Sequence, residues 1–468
     1  MLFVEPRFFC FFAAVFLIHW VIRHATLRKV WLLLVSYLFY AAWDWRFLGL
    51  ILASTVIDYS VGVMLSRPLS RAGRKGWLIF SVASNLGILG FFKYYNFFIE
   101  SAADVSALMG LSMPISTLNI ILPVGISFYT FQTLSYSIDV YRGRLEPTKN
   151  FLDLALFVGF FPQLVAGPIV RAKDFLPQLR LPRVFARVEI RACLTLFLIG
   201  YFKKACISDN IAPIVDAYFA APGDFSALSG WIAVSFYAVQ IYCDFSGYSD
   251  MAIACAGLLG YRLCVNFHFP YFAANVSEFW GRWHISLSSW LKDYLYVPLG
   301  GNRGSKLFTY RNLMLTMLLG GLWHGAAWNF VIWGALHGFA LIAHKEWRRL
   351  TGSQPKPSTP ARVLGTLLTF YWVCLAWIFF RSPDLATSAT IAKAFVLLQS
   401  EGSAHLGLDH VWLLPCLAAA HWAMYKGRFL DRLARMADWA FAAWYSLATS
   451  LVIALIPTTY RAFIYFQF

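Results

Sequence analysis

An all-α, polytopic integral membrane protein with about a dozen transmembrane or re-entrant helices is the fold the sequence predicts. Three observations predict it. Of 468 residues, 59% are hydrophobic and only 13% charged, where a soluble domain carries about a quarter charged residues. Apolar runs such as residues 30–42 and 367–380 are too long to be solvated, and a hydrocarbon core about 30 Å thick takes roughly 20 residues per helix. Positive residues cluster between those runs, as in loops held at the cytoplasmic face. That clustering accounts for the net charge of +16 without a nucleic-acid partner. With no internal repeat and no long polar stretch, residues 1–468 read as a single membrane domain.

The runs are justified in order. Residues 8–22 lack a basic leader and a small-residue cleavage site, so they read as a retained first span. Residues 30–42 end at Asp44 and Arg46, and 47–65 are followed by Arg67, Arg71, Arg74 and Lys75. The alternation places the N-terminus outside and loops 23–29 and 67–76 in the cytoplasm. Tyr37, Tyr40, Trp43 and Trp45 are then expected as aromatic anchors at the outer interface. Residues 76–99 form a fourth span carrying Lys93, and 101–119 an external loop.

Residues 120–141 are interrupted by Pro123 and Gly125 and carry Ser127, Tyr129, Thr130, Ser135, Tyr136 and Ser137. A broken, hydroxyl-lined helix in a membrane needs neighbours to satisfy its freed backbone groups. After a polar loop, residues 151–169 are broken by Pro162, Gly167 and Pro168 and read as re-entrant. The basic stretch 171–191 suits anionic headgroups or the phosphates of an anionic ligand. A run ending at Lys203 and Lys204 follows, then 231–263, which carries Asp244 and Asp250 within DFSGYSD. Hydroxyls or an arginine are the expected partners of these acids.

Residues 300–311, GGNRGSKLFTYR, form a Gly-rich basic turn that matches neither a P-loop nor a dinucleotide fingerprint. One helix is expected over 313–344, a Pro/Ser-rich linker near 351–362, C-terminal helices within 363–456 around an external loop at 382–409 and a basic loop at 426–435, and a tail over 457–468. The eight cysteines are scattered, without a CxxC pair, and are expected as buried free thiols.

The chemistry concentrates between residues 277 and 337. His284 lies in WGRWHISLS and His324 in GGLWHGAAW, and an ionisable residue buried in a membrane is by default a functional candidate. They are 40 positions apart, so only packing between helices can pair them. Gly320 and Gly321 allow another backbone or a ligand to come close. On one straight helix His337 would point roughly 140° away from His324 and is read as structural. No third ligand stands at helical spacing from either histidine, so no metal is expected. GxSxG is absent, which disfavours soluble-hydrolase chemistry.

FWGRWHISLS, YLYVPLGGNRG and LLGGLWHG resemble signatures of the membrane-bound O-acyltransferases, in the bacterial polysaccharide (alginate-type) O-acetyltransferase branch. ILPVGISFYTFQTLSY (121–136), FPQLVAGPIVR (161–171) and YCDFSGYSDMAIACAGLLGYRL (242–263) resemble further motifs in the same order. The resemblance covers most of residues 30–345 and implies helices around a central acyl-transfer cavity. It assigns the catalytic histidine to His324 and a donor-orienting or supporting role to His284. Trp323, Asp244, Ser246, Tyr248, Asp250, Trp280, Arg282, Trp283, Asn302 and Arg303 lie in the matching motifs and are expected to line the cavity. The closing aromatic run, Phe463 to Phe468, resembles a motif thought to carry an acyl group on tyrosine, here Tyr465; an interfacial anchor is the plainer reading.

What the resemblance implies is a multi-pass enzyme of the bacterial inner membrane that takes acetyl from cytoplasmic acetyl-CoA, without a metal, for an extracytoplasmic glycan. With no acceptor-handling soluble domain of its own, it implies a periplasmic or membrane-anchored SGNH-type acetyltransferase partner. Two alternatives stand beside it: a D-alanyl transferase using a carrier-protein thioester, and a non-catalytic transporter or assembly scaffold.

Overall fold

The computed structural model describes residues 2–111, 116–165, 167–352, 358–407, 411–425, 427–458 and 460–466, the side chains of Arg428 and Phe466 excepted. Among them the protein is all helical, apart from one isolated bridge between Phe225 and Ala404. Contacts divide the chain into two compact units, residues 1–190 with 255–264, and residues 191–254 with 265–468. Helices in Ala25–Leu65, Arg71–Leu108 and Thr359–Arg381 are long and apolar enough to cross a membrane, beside shorter apolar helices such as Pro6–Val21.

The first unit holds α1 (Pro6–Val21), α2 (Ala25–Asp44), α3 (Leu48–Leu65), α4 (Arg71–Leu89), α5 (Tyr95–Leu108), α6 (Ile126–Tyr141), α7 (Phe151–Gly159), α8 (Phe161–Leu164) and α9 (Ala172–Arg180). The break expected before α6 falls at Gly125, whose φ of +74° suits glycine, and where a Cβ would lie 2.5 Å from Leu164 O. Several hydroxyls of α6 are buried and partnered: Ser135 donates to Gln132 O at 2.7 Å, and Ser137 of α6 and Ser81 of α4 each donate to Asp58 at 2.5 Å, whose other oxygen accepts from Asn85 at 2.9 Å. Such a network answers the cost of buried polar groups.

Several expectations are corrected here. Residues 101–108 continue α5 instead of opening a loop, because a π-helical turn at Gly90–Tyr94 resets the register and lets the helix run on. Residues 112–115 of that expected loop lie outside the described residues. Tyr40 is core, donating to Val124 O at 2.9 Å, while Trp43 and Trp45 are exposed. Within the basic stretch, Arg183 is held by protein contacts, lying 4.5 Å over the Tyr261 ring and donating to Gly260 O at 2.7 Å. Cys10, Cys264 and Cys416 are exposed rather than buried, though all eight cysteines are free.

The second unit begins with α10 (Ile190–Tyr201), α11 (Asp209–Ala220) and α12 (Ala227–Leu258), of which Ile190 and the last turn of α12 from Cys255 belong to the first. It continues through α13 (Val276–Trp280), α14 (Ile285–Leu291), α15 (Lys306–His324), α16 (Trp328–Thr351) and α17 (Thr359–Arg381). Last come α18 (Leu385–Leu397), α19 (Leu413–Tyr425), α20 (Arg428–Ala434) and α21 (Asp438–Ala454). The single helix expected over 313–344 is instead the hairpin of α15 and α16. It breaks at Gly325, where the Phe330 ring fills the space a Cβ would need, 2.0 Å away. The two helices nearly touch: a Cβ on Gly321 would stand 2.2 Å from Phe330 O, and one on Gly334 2.3 Å from Met317 O. Small residues permit that approach, as in other membrane helix pairs.

Residues 382–409 are not simply a loop. Asp384 caps α18 by accepting from the Thr387 N–H at 2.7 Å, and that bond holds its carboxyl below the usual range. Arg428, Arg432 and Arg435 belong to or border α20, so the expected basic loop is partly helical, with Lys426 outside the described residues. Of the linker near 351–362, residues 353–357 lie outside the described residues.

Candidate functional site

His324 is the last residue of α15, at the hairpin break, and only 3% exposed. Four rings enclose its imidazole: Trp333 of α16 at 4.9 Å, neighbouring Trp323 at 5.0 Å, Phe380 of α17 at 5.2 Å, and Tyr465 at 5.5 Å. The first three stand within 20° of edge-on to it, and Tyr465 is tilted by 50°. The hairpin places Trp333 back over His324, the geometry that glycines at the crossing permit.

His284 is fully buried at the start of α14 in the left-handed region, φ +43°. A non-glycine residue held there costs about 1–3 kcal/mol and persists only when its surroundings over-determine it. Here Asn266 does so. Its Oδ1 lies 3.1 Å from His284 Nδ1, and accepts from the Ser286 N–H at 3.2 Å and the Ser286 hydroxyl at 2.8 Å. Asn266 Nδ2 in turn donates to Ser249 at 3.2 Å. An amide oxygen only accepts, so this arrangement puts the proton on His284 Nδ1 and leaves Nε2 as the basic nitrogen. The two histidines are linked through rings: Trp323 lies 6.0 Å from His284, and Phe245 lies 4.7 Å from His284 and 4.6 Å from Tyr465.

Tyr465 arrives on the closing segment. Phe463 is fully buried between Phe245 and Tyr248, at 5.4 and 4.7 Å, and the Tyr465 ring stacks on Phe463. The Ile464 N–H donates to Asp244 at 2.8 Å. Asp244 also pairs with Lys204 at 2.5 Å, and Lys204 with Asp209 at 2.7 Å. The partners of the two acids are therefore lysines, not hydroxyls or an arginine, since Asp250 pairs with Lys203 at 2.7 Å.

Of the expected site residues, His324, His284, Tyr465, Trp323, Asp244 and Tyr248 come together. Ser246 is fully buried on the same helix, α12. Trp283 packs against Phe267 and Trp377, and Trp280 against Trp333 and His337, so both border the aromatic shell. His337 sits buried between Phe279, Trp280 and Trp333, as a structural residue would. Arg282 turns away to Glu278, which also takes Arg362. Asn302 and Arg303 lie at the far end of α15, about 27 Å of helix from His324, where Asn302 accepts from Tyr296 and Lys345. That end is basic, with Lys306 and Arg349 around Glu346.

Sequence reading missed Asn266, Phe245, Phe380, Trp333 and Lys204. Only Lys204 gave a signal, since Asp244 in an apolar run requires a cation somewhere. No group of three potential metal ligands occurs among the described residues.

Comparison with known proteins adds the chemistry. Residues 145–382 match the model of the MBOAT, membrane-bound O-acyltransferase family. The chain is 43% identical over 82% of its length to a probable alginate O-acetylase of Azotobacter vinelandii, covering 76% of that protein. It is 38% identical over 87% of its length to a peptidoglycan O-acetyltransferase of Helicobacter pylori, covering 82% of it. A teichoic acid D-alanyltransferase of Streptococcus thermophilus is more distant, 27% identical over 55% of this chain and 68% of its own.

Proposed function

This chain belongs to the membrane-bound O-acyltransferase family and is an integral membrane acyltransferase, and from that premise we propose that it O-acetylates an extracytoplasmic polysaccharide by way of His324. The observation that carries the reading is the enclosure of His324 by rings, one of them a tyrosine that offers a hydroxyl. Names of relatives favour acetyl over D-alanyl: acetyltransferases match at 38% identity or more over most of the chain, the D-alanyltransferase at 27% over about half. A buried histidine ringed by aromatics can also be structural, as His337 is here; what sets His324 apart in this reading is the tyrosine beside it.

The donor in this reading is acetyl-CoA from the cytoplasm, and the residues present suit it. Arg303, Lys306, Lys345, Arg348 and Arg349 crowd the open end of the α15–α16 hairpin, a surface that attracts polyphosphate. Roughly a dozen spanning or re-entrant helices would house the cavity in a bacterial inner membrane. No metal is needed, because a neutral histidine suffices to take the proton of an attacking hydroxyl.

Tyr465 is the first acceptor in the fuller form of the proposal. A phenol ionises near pH 10, so its attack on a thioester needs a base, and His324 is beside it. The phenolic O–H breaks as the oxygen bonds the acetyl carbon, the carbon–sulfur bond breaks, and the proton passes by His324 to the leaving sulfur. The resulting phenyl acetate remains an activated ester, able to pass acetyl outward to the glycan through a periplasmic or membrane-anchored SGNH-type partner. Mass analysis of surface glycans from cells with and without the protein tests the function: O-acetyl groups should vanish with it, and an unchanged glycan would contradict the reading.

A further inference from the structure

The closing segment reaches His324 with little structure of its own, a single 3-10 turn at Ile464–Phe466. What holds Tyr465 in place comes from its contacts: besides the ring packing of Phe463 and Tyr465, two charged clasps of different depth hold the segment.

The inner clasp is fully buried. Lys204, Asp209 and Asp244 have side chains between 1% and 3% exposed. A buried lysine is costly unless paired and hydrogen-bonded, and here it faces two carboxylates. One lysine cannot satisfy both, and Asp244 completes its shell by accepting the Ile464 N–H. The helix crossing builds this: Cβ atoms on Gly200 and Gly247 would each stand 2.6 Å from the other's carbonyl oxygen. With α10 and α12 so close, Lys204, one turn on from Gly200, reaches Asp244.

The outer clasp is partly open to its surroundings. Asp216 of α11 takes Arg381 on one oxygen at 2.7 Å and Arg461 on the other. Asp216 and Arg461 side chains are 38% and 37% exposed. Arg381 directly follows Phe380, which packs on both His324 and Tyr465. Asp216 thus ties the closing segment to the helix that walls the histidine.

We infer that the closing segment is a docked arm, and that Asp216 and Asp244 are positioning residues which set Tyr465 against His324. The outer clasp, exposed and therefore weak, lets the arm lift; the inner one returns it to a single register. The inference deepens the relay reading, and its effect on turnover rests on that reading, whereas its effect on the place of Tyr465 does not.

The test uses the full chain in membranes with p-benzoylphenylalanine at position 465, and maps photo-crosslinked peptides by mass spectrometry. Crosslinks to the end of α15 and to α17 are expected. Asp216→Asn and Arg461→Ala should each cut their yield roughly two- to fivefold, the range an exposed ion pair sets, while Arg461→Lys retains most of it. In the unlabelled chain the same variants should lower kcat roughly two- to fivefold with the donor KM unchanged, since the clasp touches no donor. Unchanged crosslinks in both Asp216→Asn and Arg461→Ala would overturn the inference. So would a loss of crosslinks that only follows a loss of folded protein, measured by thermal unfolding. If Tyr465→Phe keeps full activity, the relay fails while the crosslinking result still decides where the arm sits.

Discussion

The Tyr465 ring lies 5.5 Å from the ring of His324, tilted by 50°, with Phe380 and Phe245 packed around the pair. The relay reading requires that a proton pass between the phenol and the imidazole, directly or through one water. Tyr465→Phe keeps every ring contact and removes only the hydroxyl. Glycan acetylation should fall at least about a hundredfold, the scale of losing a positioned proton-transfer partner, with membrane abundance unchanged on an immunoblot. Full acetylation would reduce the segment to an anchor.

His284 is predicted to act through its ring and not its backbone. His284→Gly relieves the left-handed conformation, so the folded protein should be no less stable for that backbone change. Turnover should nonetheless fall about tenfold or more, because the oriented Nε2 is gone. Asn266→Ala should fall in the same direction by freeing the ring. Thermal unfolding in detergent paired with acetyl-transfer rates separates the two effects; unchanged rates in both variants would make the pair structural.

The hairpin is predicted to be intolerant of side chains at its crossing. Gly321→Ala puts a methyl 2.2 Å from a backbone oxygen that cannot swing aside, and should destabilise by about 1–3 kcal/mol. Gly87→Ala in α4 meets nothing within 4 Å and should be neutral or stabilising by up to ~1 kcal/mol, as expected for glycine within a helix. Comparing the two melting temperatures checks the crossing, and equal values would refute it.

The basic end of the hairpin is predicted to serve donor capture. Arg303→Glu with Lys306→Glu should raise the KM for acetyl-CoA several-fold, more at low salt than at high, with kcat held. A KM indifferent to both charge and salt would remove this end from the route.

The all-helical fold and its apolar spans were legible in the sequence from apolar length, and His284 and His324 drew notice because a histidine is costly to bury in an apolar run. What was not legible depends on packing between distant residues. In the sequence Lys204 merely closes an apolar run; that it is the cation Asp244 needs shows only once Gly200 and Gly247 bring α10 against α12. Gly325 looks like one more small residue, yet its contact with Phe330 folds one expected helix into two. Helix α18 hides in an Ala-, Ser- and Thr-rich stretch whose only local sign is the Asp384 cap. Asn266 carried no motif, and only the fold shows that it fixes the His284 ring.

His324→Ala tests the central claim most directly. The wild-type chain and the variant, matched for membrane abundance and thermal stability, would be compared for O-acetyl content of the surface glycan by mass spectrometry. His324 as the proton acceptor predicts that the variant folds, inserts and leaves the glycan without detectable acetyl groups. Wild-type acetylation in a well-expressed His324→Ala strain would contradict the account.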